Sequence, residues 1–534
     1  MLFIVAVAYA MAGYYWRIDD YPPYMDFDGA TLGIFVNNLT YQPRYDYYFA
    51  KSGVAQNEYR AAWSAFALPS SVLVSGVQQL LRIPYYRVDR LLKITCFVLG
   101  LLGSLCAANI ARGAGVRWFD AAFVAGFVAV SPAYLLYLRT AFLPIVTSFS
   151  LFWAAVMLMV AYTRDLGRRR LYGVAIVLAC YGLAPYAALT SMPVVLLGIV
   201  LIQGRLGRTM RDPHFYAAAA IGVVAWWSVV LVLAVHYDGS YQNYMSKVSE
   251  FLMVRGPHVL SFDGFTWSEL RWKLVKLVDQ HVLFLRDALG DAYRPDDLWT
   301  LNAVHVTWLG LLPLTLYGVY RGLAAGDEAT RLSALVLATT YVMALTVGSP
   351  EGRYIVTAVP CYALLLGVAA RTLLPNPTRR MVALALILLV TATNTYWLVG
   401  GRYETDMMTK WKTRAAMREA LAAIRVERAH DEEAYLEWPA LQYKDWLYLQ
   451  MLANFEVVVL ERMEMVRMAS APKDERHRRA FFIARDADAR PEIRGLRLQG
   501  FELVGEVTDS VSARRLAVLV KHVPPIGESP GTGT

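Results

Sequence analysis

MLFIVAVAYAMAGYYW (residues 1–16), followed by YPPYMDFDG (residues 21–29), is the stretch from which the rest of the chain is read. An apolar run closes on Tyr14, Tyr15 and Trp16, the aromatic anchor expected where a helix leaves a bilayer. It lacks a basic n-region and a clear small-x-small cleavage site, so it reads as a retained first span rather than a cleaved leader. Just beyond it, Asp26 and Asp28 set two carboxylates beside a membrane face. Such acids either solvate a loop or do chemistry, and the surrounding chain decides between the two.

The 534 residues are 57% hydrophobic and 18% charged. A soluble chain carries about 25% charged residues. Apolar runs of the length that crosses a ~30 Å hydrocarbon core recur throughout. They fall at 1–16, 91–111, 119–138, 142–162, 171–186, 188–203, 214–236, 301–320, 332–348, 354–373 and 380–399. The fold class expected is therefore a polytopic α-helical membrane protein with about 11 transmembrane helices. An outer-membrane barrel would show short alternating segments instead. The pair at 171–203, interrupted by Pro185 and Pro193, reads either as two short spans or as one broken helix.

The net charge of +9 is concentrated in short loops. Arg112 and Arg117 lie in one, Arg164 and Arg168–Arg170 in the next, then Arg205, Arg208 and Arg211, then Arg321 and Arg331, then Arg371, Arg379 and Arg380. If 171–203 holds two spans, all of these loops share one side, the cytoplasmic one by the positive-inside rule. The charge then needs no nucleic-acid partner. The opposite, extracytoplasmic side receives loops 17–88 and 237–300, the short 349–353 connection and the C-terminal segment.

Both long loops carry amphipathic stretches, 58–83 and 266–289, with the pattern of helices lying in the interface. Pro69 would break the first of them. From residue 402 the composition becomes that of a soluble domain. Strand-like runs at Ala434–Trp438, Val457–Leu460, Ala480–Ala484, Phe501–Val507 and Leu516–Val520 alternate with helical stretches. The organisation expected is thus a membrane domain over 1–401, a small α/β domain over 402–523 and a disordered tail over 524–534.

Asp26 and Asp28 have the chemistry of a general base for an attacking hydroxyl. Arg353 and Tyr354 open a late span on the same side, and a guanidinium there either binds a phosphate bidentately or snorkels to the interface. Arg139, in the turn before residue 142, breaks the positive-inside trend; it holds an anionic partner or anchors to headgroups. Lys51 and Arg60 are weaker cationic candidates in the first loop. Cys96, Cys106, Cys180 and Cys361 all lie in apolar runs and read as small buried hydrophobes. The outer-face histidines, His236, His258 and His281, do not cluster as metal ligands would. No metal site is read, and nothing in the spacing supports a divalent ion.

Three stretches resemble the GT-C-type membrane glycosyltransferases, in pattern the protein O-mannosyltransferase and lipid A aminoarabinose transferase group. They are the acidic motif at Asp26 and Asp28, SPAYLLYLRTA (131–141) with its Ser-Pro and its Arg-containing turn, and GRYIVTAVP (352–360). Their order and spacing cover residues 1 to about 400. The resemblance implies transfer of a monosaccharide from a polyprenyl-phosphate carrier to a lipid, glycan or protein acceptor on the outer face of the cell membrane. It implies catalysis by Asp26, with Asp28 second, and carrier-phosphate binding by Arg353, Tyr354, Arg139 and Lys51. A lipid-linked sugar donor is then required, and a divalent metal stays open without support in the sequence. One departure stands out. Several members have an acid in the turn near 138–144, which here reads LRTAFLP. The competing class is a polytopic transporter or lipid flippase, which would place charged sites near the membrane midplane.

Overall fold

The computed structural model describes residues 1–15, 72–84, 87–113, 117–131, 143–181, 188–238, 298–346 and 356–397. It also describes five strands between 433 and 523, and scattered residues at 33–40, 134 and 240–274. All statements below concern these residues. The chain divides into two compact units. One comprises Met1–Trp16, Ser52–Ser70 and Ile94–Glu404; the other comprises Arg17–Lys51, Ser71–Lys93 and Thr405–Thr534.

The first unit is helical. Its elements are α1 (Leu2–Tyr15), α2 (Val88–Gly113, which enters this unit from Ile94 on), α3 (Trp118–Ala129), α4 (Leu143–Asp165), α5 (Arg168–Tyr181), α6 (Ala188–Ile202) and the single turn α7 (Leu206–Thr209). They continue with α8 (Pro213–Asp238), α9 (Leu298–Ala324), α10 (Glu328–Thr346), a 3₁₀ turn (Val356–Ala358), α11 (Val359–Leu373) and α12 (Pro377–Trp397). By length and composition, three described helices suffice to cross a membrane: Val88–Ile110, Ile145–Asp165 and Val356–Leu373. Large apolar side chains point outward all round the bundle, among them Ile176, Val194, Val223, Val224, Leu316, Leu386 and Val390. Val223 and Val224 are each 63% exposed. A surface this apolar would be a liability in water and is what lipid requires. Region 171–203 holds two helices, α5 and α6, and Pro193 is accommodated within α6.

α11 is the axis of the bundle, buried from Val359 to Ala370 apart from Tyr362. It packs against α3, α9, α10 and α12, while α4 packs against α5 and α6, and α1 against α3 and α12. The approach of α9 to α11 depends on Gly318, where a Cβ would run into the backbone carbonyl of Leu365. Gly318→Ala is therefore expected to cost about 1–3 kcal/mol by overpacking. The check is a lowered thermal midpoint of the purified protein; an unchanged midpoint would show that the two helices separate freely.

The turns at one end of the bundle share a construction. An Asp or Asn precedes a helix and its side chain caps the first backbone N–H groups. Asp212 accepts from His214 N (3.0 Å), Asp327 from Thr330 N (2.9 Å) and Asn376 from Thr378 N (2.9 Å). Pro213 and Pro377 open α8 and α12 at the position where a missing N–H costs nothing. Gly326, at φ +67°, closes the turn after α9.

Side-chain contacts then link these turns. Arg380, at the start of α12, meets Asp120, at the start of α3, at 3.3 Å. Arg371 meets Asp327 at 3.8 Å, Arg164 meets Glu328 at 2.9 Å, and Tyr162 donates to Asp212 at 2.9 Å. Phe3, at the start of α1, sits edge-on to Trp118. All five arginine-bearing loops therefore lie at one end of the bundle, as the charge alternation requires. The Tyr15 end of α1, the Ala129 end of α3 and the Leu143 end of α4 lie at the other, and α11 starts from that side at the level of mid-α4.

α3 is shorter than the expected 119–138. Pro132 disfavours helical geometry at Ser131, and the helix closes at Ala129, with Val130 N–H bonding Gly126 O. At twelve residues it extends about 18 Å. The late span expected over 354–373 is described from Val356, as a 3₁₀ turn to Ala358 and an α-helix from Val359.

In the second unit, residues 72–80 form a helix, within the first of the two amphipathic stretches. Thr40 Oγ1 donates to Gln78 Oε1 at 2.7 Å. β1 (Glu433–Glu437), β2 (Val457–Leu460), β3 (Arg478–Ala484), β4 (Glu502–Thr508) and β5 (Arg515–Val523) form one sheet of order β2-β1-β3-β5-β4. β1 runs parallel to β2 and β3, and β5 runs antiparallel to β3 and β4. Parallel neighbours need crossover connections. The segments that make them, and the tail 524–534, lie outside the described residues.

Candidate functional site

Asp26, Asp28, Lys51, Arg139, Arg353 and Tyr354 all lie outside the described residues. What is described is the frame on either side of Arg139 and Arg353. It sits at the end of the first unit opposite the arginine-bearing turns.

Before Arg139, Ser131 is fully buried and Tyr134 nearly so. The ring of Tyr134 packs on Phe149 of α4, with centroids 5.0 Å apart, and its hydroxyl lies 3.5 Å from Ser104 Oγ of α2. Ser150 of α4 donates to Leu99 O of α2 at 2.6 Å. α2 and α4 come this close because residue 103 is glycine; a Cβ there would collide with Phe149 and the backbone of Ser150. Tyr134 is thus braced on both helices.

After Arg353, the turn Val356–Ala358 is wholly buried. Trp153, midway along α4 and fully buried, donates its Nε1–H to Thr357 O at 3.2 Å. α11 therefore opens alongside the middle of α4, about 15 Å inward from Leu143 along that helix. Phe149 and Trp153 are one turn apart on α4, so one helical face holds both Tyr134 and Thr357.

This end of the bundle also keeps two buried hydroxyls, Ser131 Oγ and Thr147 Oγ1, that make no hydrogen bond. Among the described residues no group of three or more His, Cys, Asp or Glu could hold a metal. Cys96 and Cys361 are buried free thiols, and Cys106 and Cys180 are half-buried free thiols.

Sequence reading passed over Trp153, whose signal was indirect: Pro360 leaves a nearby carbonyl without its usual donor. It also passed over Asp89 and Lys93, both fully buried in the first two turns of α2. Their i, i+4 spacing inside an apolar run was the available clue.

No protein-family model matches the sequence, and no curated protein matches it. Solved structures do. Their class is the GT-C membrane glycosyltransferases, whose fold this chain shares. The particular likeness is to the crystal structure of ArnT, the lipid A aminoarabinose transferase, from Cupriavidus metallidurans in the apo state. There the TM-score is 0.52 at 14% identity, covering 97% of each chain. The structure of the same transferase bound to undecaprenyl phosphate gives 0.51 at 15% identity, again over 97% of each chain. The oligosaccharyltransferase of Archaeoglobus fulgidus, in complex with Zn and sulfate, gives 0.49 at 12% identity, over 86% of this chain and 62% of that one.

Proposed function

We propose that this protein is a membrane glycosyltransferase of the GT-C type. It moves a monosaccharide from a polyprenyl-phosphate carrier to a lipid, glycan or protein acceptor on the extracytoplasmic face of the cell membrane. The observation that carries the reading is fold likeness along 97% of the chain to a transferase whose crystal structure holds undecaprenyl phosphate. The gathering of the arginine-bearing turns at one end supports the orientation, since the positive-inside rule makes that end the cytoplasmic one.

In the proposed step Asp26 takes the proton of an acceptor hydroxyl as its oxygen attacks the anomeric carbon. The new C–O bond forms on the face opposite the departing group, so configuration inverts. The bond from the anomeric carbon to the carrier oxygen breaks, and polyprenyl phosphate leaves with the electron pair. Its growing negative charge needs fixed cations. Arg353 supplies the main one, with Arg139, Lys51 and the Tyr354 hydroxyl as further partners. No nucleotide enters, in keeping with a sequence that carries no P-loop.

Arg353→Ala is expected to raise the donor KM by about 10- to 100-fold, the scale of one or two charge-assisted hydrogen bonds. Arg353→Lys, which keeps the charge but loses the fork, is expected to fall between the two. Initial rates against donor concentration decide the matter, and an unchanged KM in Arg353→Ala removes the phosphate assignment.

A further inference from the structure

Where α3 and α12 begin, positive charge exceeds what the local acids compensate. Arg380 is held by Asp120 and Arg371 by Asp327. Arg117 immediately precedes α3, and Arg379 stands beside Arg380 in the first turn of α12. Both are exposed, and neither meets a carboxylate among the described residues. The corner is fixed in place. α3 packs on α11 and α12, and Asn376 Oδ1 accepts from the N–H groups of Thr378 and Arg379 at 2.9 and 3.2 Å. Next to Arg117, Trp118 is 59% exposed and edge-on to Phe3 of α1, an amphipathic ring of the kind found at headgroup level. An apolar stripe then leads away from Arg379 along α12. Val382, Leu386 and Val390 follow it at helical spacing, so all four residues share one face, and all three apolar side chains are exposed. From residue 379 to residue 390 the axis advances about 17 Å. One leaflet of a ~30 Å hydrocarbon core is about 15 Å deep.

We infer that Arg117 and Arg379, flanked by Trp118, bind the phosphate of an anionic phospholipid whose acyl chain lies along Val382, Leu386 and Val390. The inference does not depend on the transfer chemistry; it needs only that the bundle stands in a bilayer. A guanidinium offers a phosphate two N–H groups in a fixed fork. Arg371 and Arg380 are held by their own carboxylates, which leaves Arg117 and Arg379 as the ligands. A soluble anion would use the charge and leave the stripe unexplained. A neutral lipid would use the stripe and leave the two unpaired arginines unexplained. A phospholipid with a net negative headgroup accounts for both. Arg168 and Arg169, at the start of α5, give the contrast. They are exposed at the same end of the bundle, but Ile176 is the one exposed apolar side chain among the described residues of α5 that follow them.

The test is the thermal midpoint of the purified full chain in a neutral detergent, titrated with phosphatidylglycerol as the probe and, separately, with phosphatidylcholine and with inorganic phosphate. Phosphatidylglycerol is expected to raise the midpoint to a plateau, and the other two to raise it far less. Arg117→Gln with Arg379→Gln removes both unpaired charges. It is expected to leave the starting midpoint unchanged and to raise the half-saturating phosphatidylglycerol concentration about 30-fold, the combined scale of two interfacial arginines. Arg168→Gln with Arg169→Gln removes the same charge from the same end and is expected to leave that concentration unchanged. Equal weakening in the two double variants overturns the inference, because attraction to the surface is then diffuse. An unchanged response in the first double variant also overturns it. Inorganic phosphate as effective as phosphatidylglycerol shows a soluble anion as the occupant, and phosphatidylcholine as effective shows that charge is not read; either result overturns the site. If the first double variant does not fold, Arg379→Gln alone is read, where a loss of about fivefold supports the inference and no loss overturns it.

Discussion

Replacing Asp26 with asparagine is expected to cut sugar transfer by about 10²- to 10⁴-fold, the contribution typical of a positioned general base. Asparagine keeps the size and the hydrogen-bonding oxygen of the side chain but cannot take a proton. The loss should therefore fall on kcat, with the donor KM little changed. Asp28→Asn is the internal control. If Asp26 is the base, the Asp28 variant retains most of its rate. The reverse ranking moves the base two residues along the same loop, and full activity in both variants removes catalysis from it. The assay is label transfer from a polyprenyl-phosphate-linked sugar under donor saturation.

The second large effect concerns stability and is independent of the chemistry. Asp120 is 3% exposed and Arg380 9% exposed, with Arg380 Nη2 at 3.3 Å from Asp120 Oδ2. The guanidinium also stacks over Phe119, 5.0 Å from its centroid. The Arg380 guanidinium is the leading compensation for the buried Asp120 carboxylate, with Arg371 and Arg117 contributing weaker favourable charge. Arg380→Met should then leave a buried carboxylate without its nearest counter-charge and cost about 3 kcal/mol, the lower end of the range for breaking a buried pair, because Arg371 and Arg117 remain. Removing both charges, as in Asp120→Leu with Arg380→Met, should recover most of that loss, because a buried ion pair and an apolar pair of similar volume are often near equal. Denaturant unfolding of the purified single and double variants measures the difference. A single variant as stable as the parent would mean that water reaches Asp120.

Much of the fold was legible because lipid imposes coarse rules. The apolar runs gave α1, α2, α4, α8 and α9–α12 close to their observed limits. The alternation of arginines favoured two elements in 171–203 over one broken helix, and α5 and α6 are there. Boundaries were less legible where backbone chemistry overrides hydropathy. The apolar run to Leu138 hid the stop at Ala129, which Pro132 dictates. The apolar run through Val356–Pro360 hid a change of helix type, for which Pro360 was again the cue. Asp89 and Lys93 were passed over because hydropathy averages a charged pair into its neighbours.

The candidate site was legible in a different sense. Asp26, Asp28, Arg139 and Arg353 came from residue type, position relative to spans and family resemblance. Their own placement lies outside the described residues. What structure adds is the frame: Tyr134 held by Phe149 and Thr357 held by Trp153. Neither contact could be read from sequence. Tyr134 meets Phe149 of the next helix, and Trp153 reaches Thr357 across 204 residues, where no periodicity reports pairing.

The most direct measurement of the central claim is incubation of the purified protein in nanodiscs with a panel of polyprenyl-phosphate-linked sugars, radiolabelled in the sugar, and a membrane extract supplying acceptors. The account predicts that at least one donor releases free polyprenyl phosphate while its label passes to an acceptor, and that Asp26→Asn abolishes both. Movement of an intact donor across a sealed bilayer, with no cleavage of its sugar–phosphate bond by any member of the panel, would contradict it and favour a flippase.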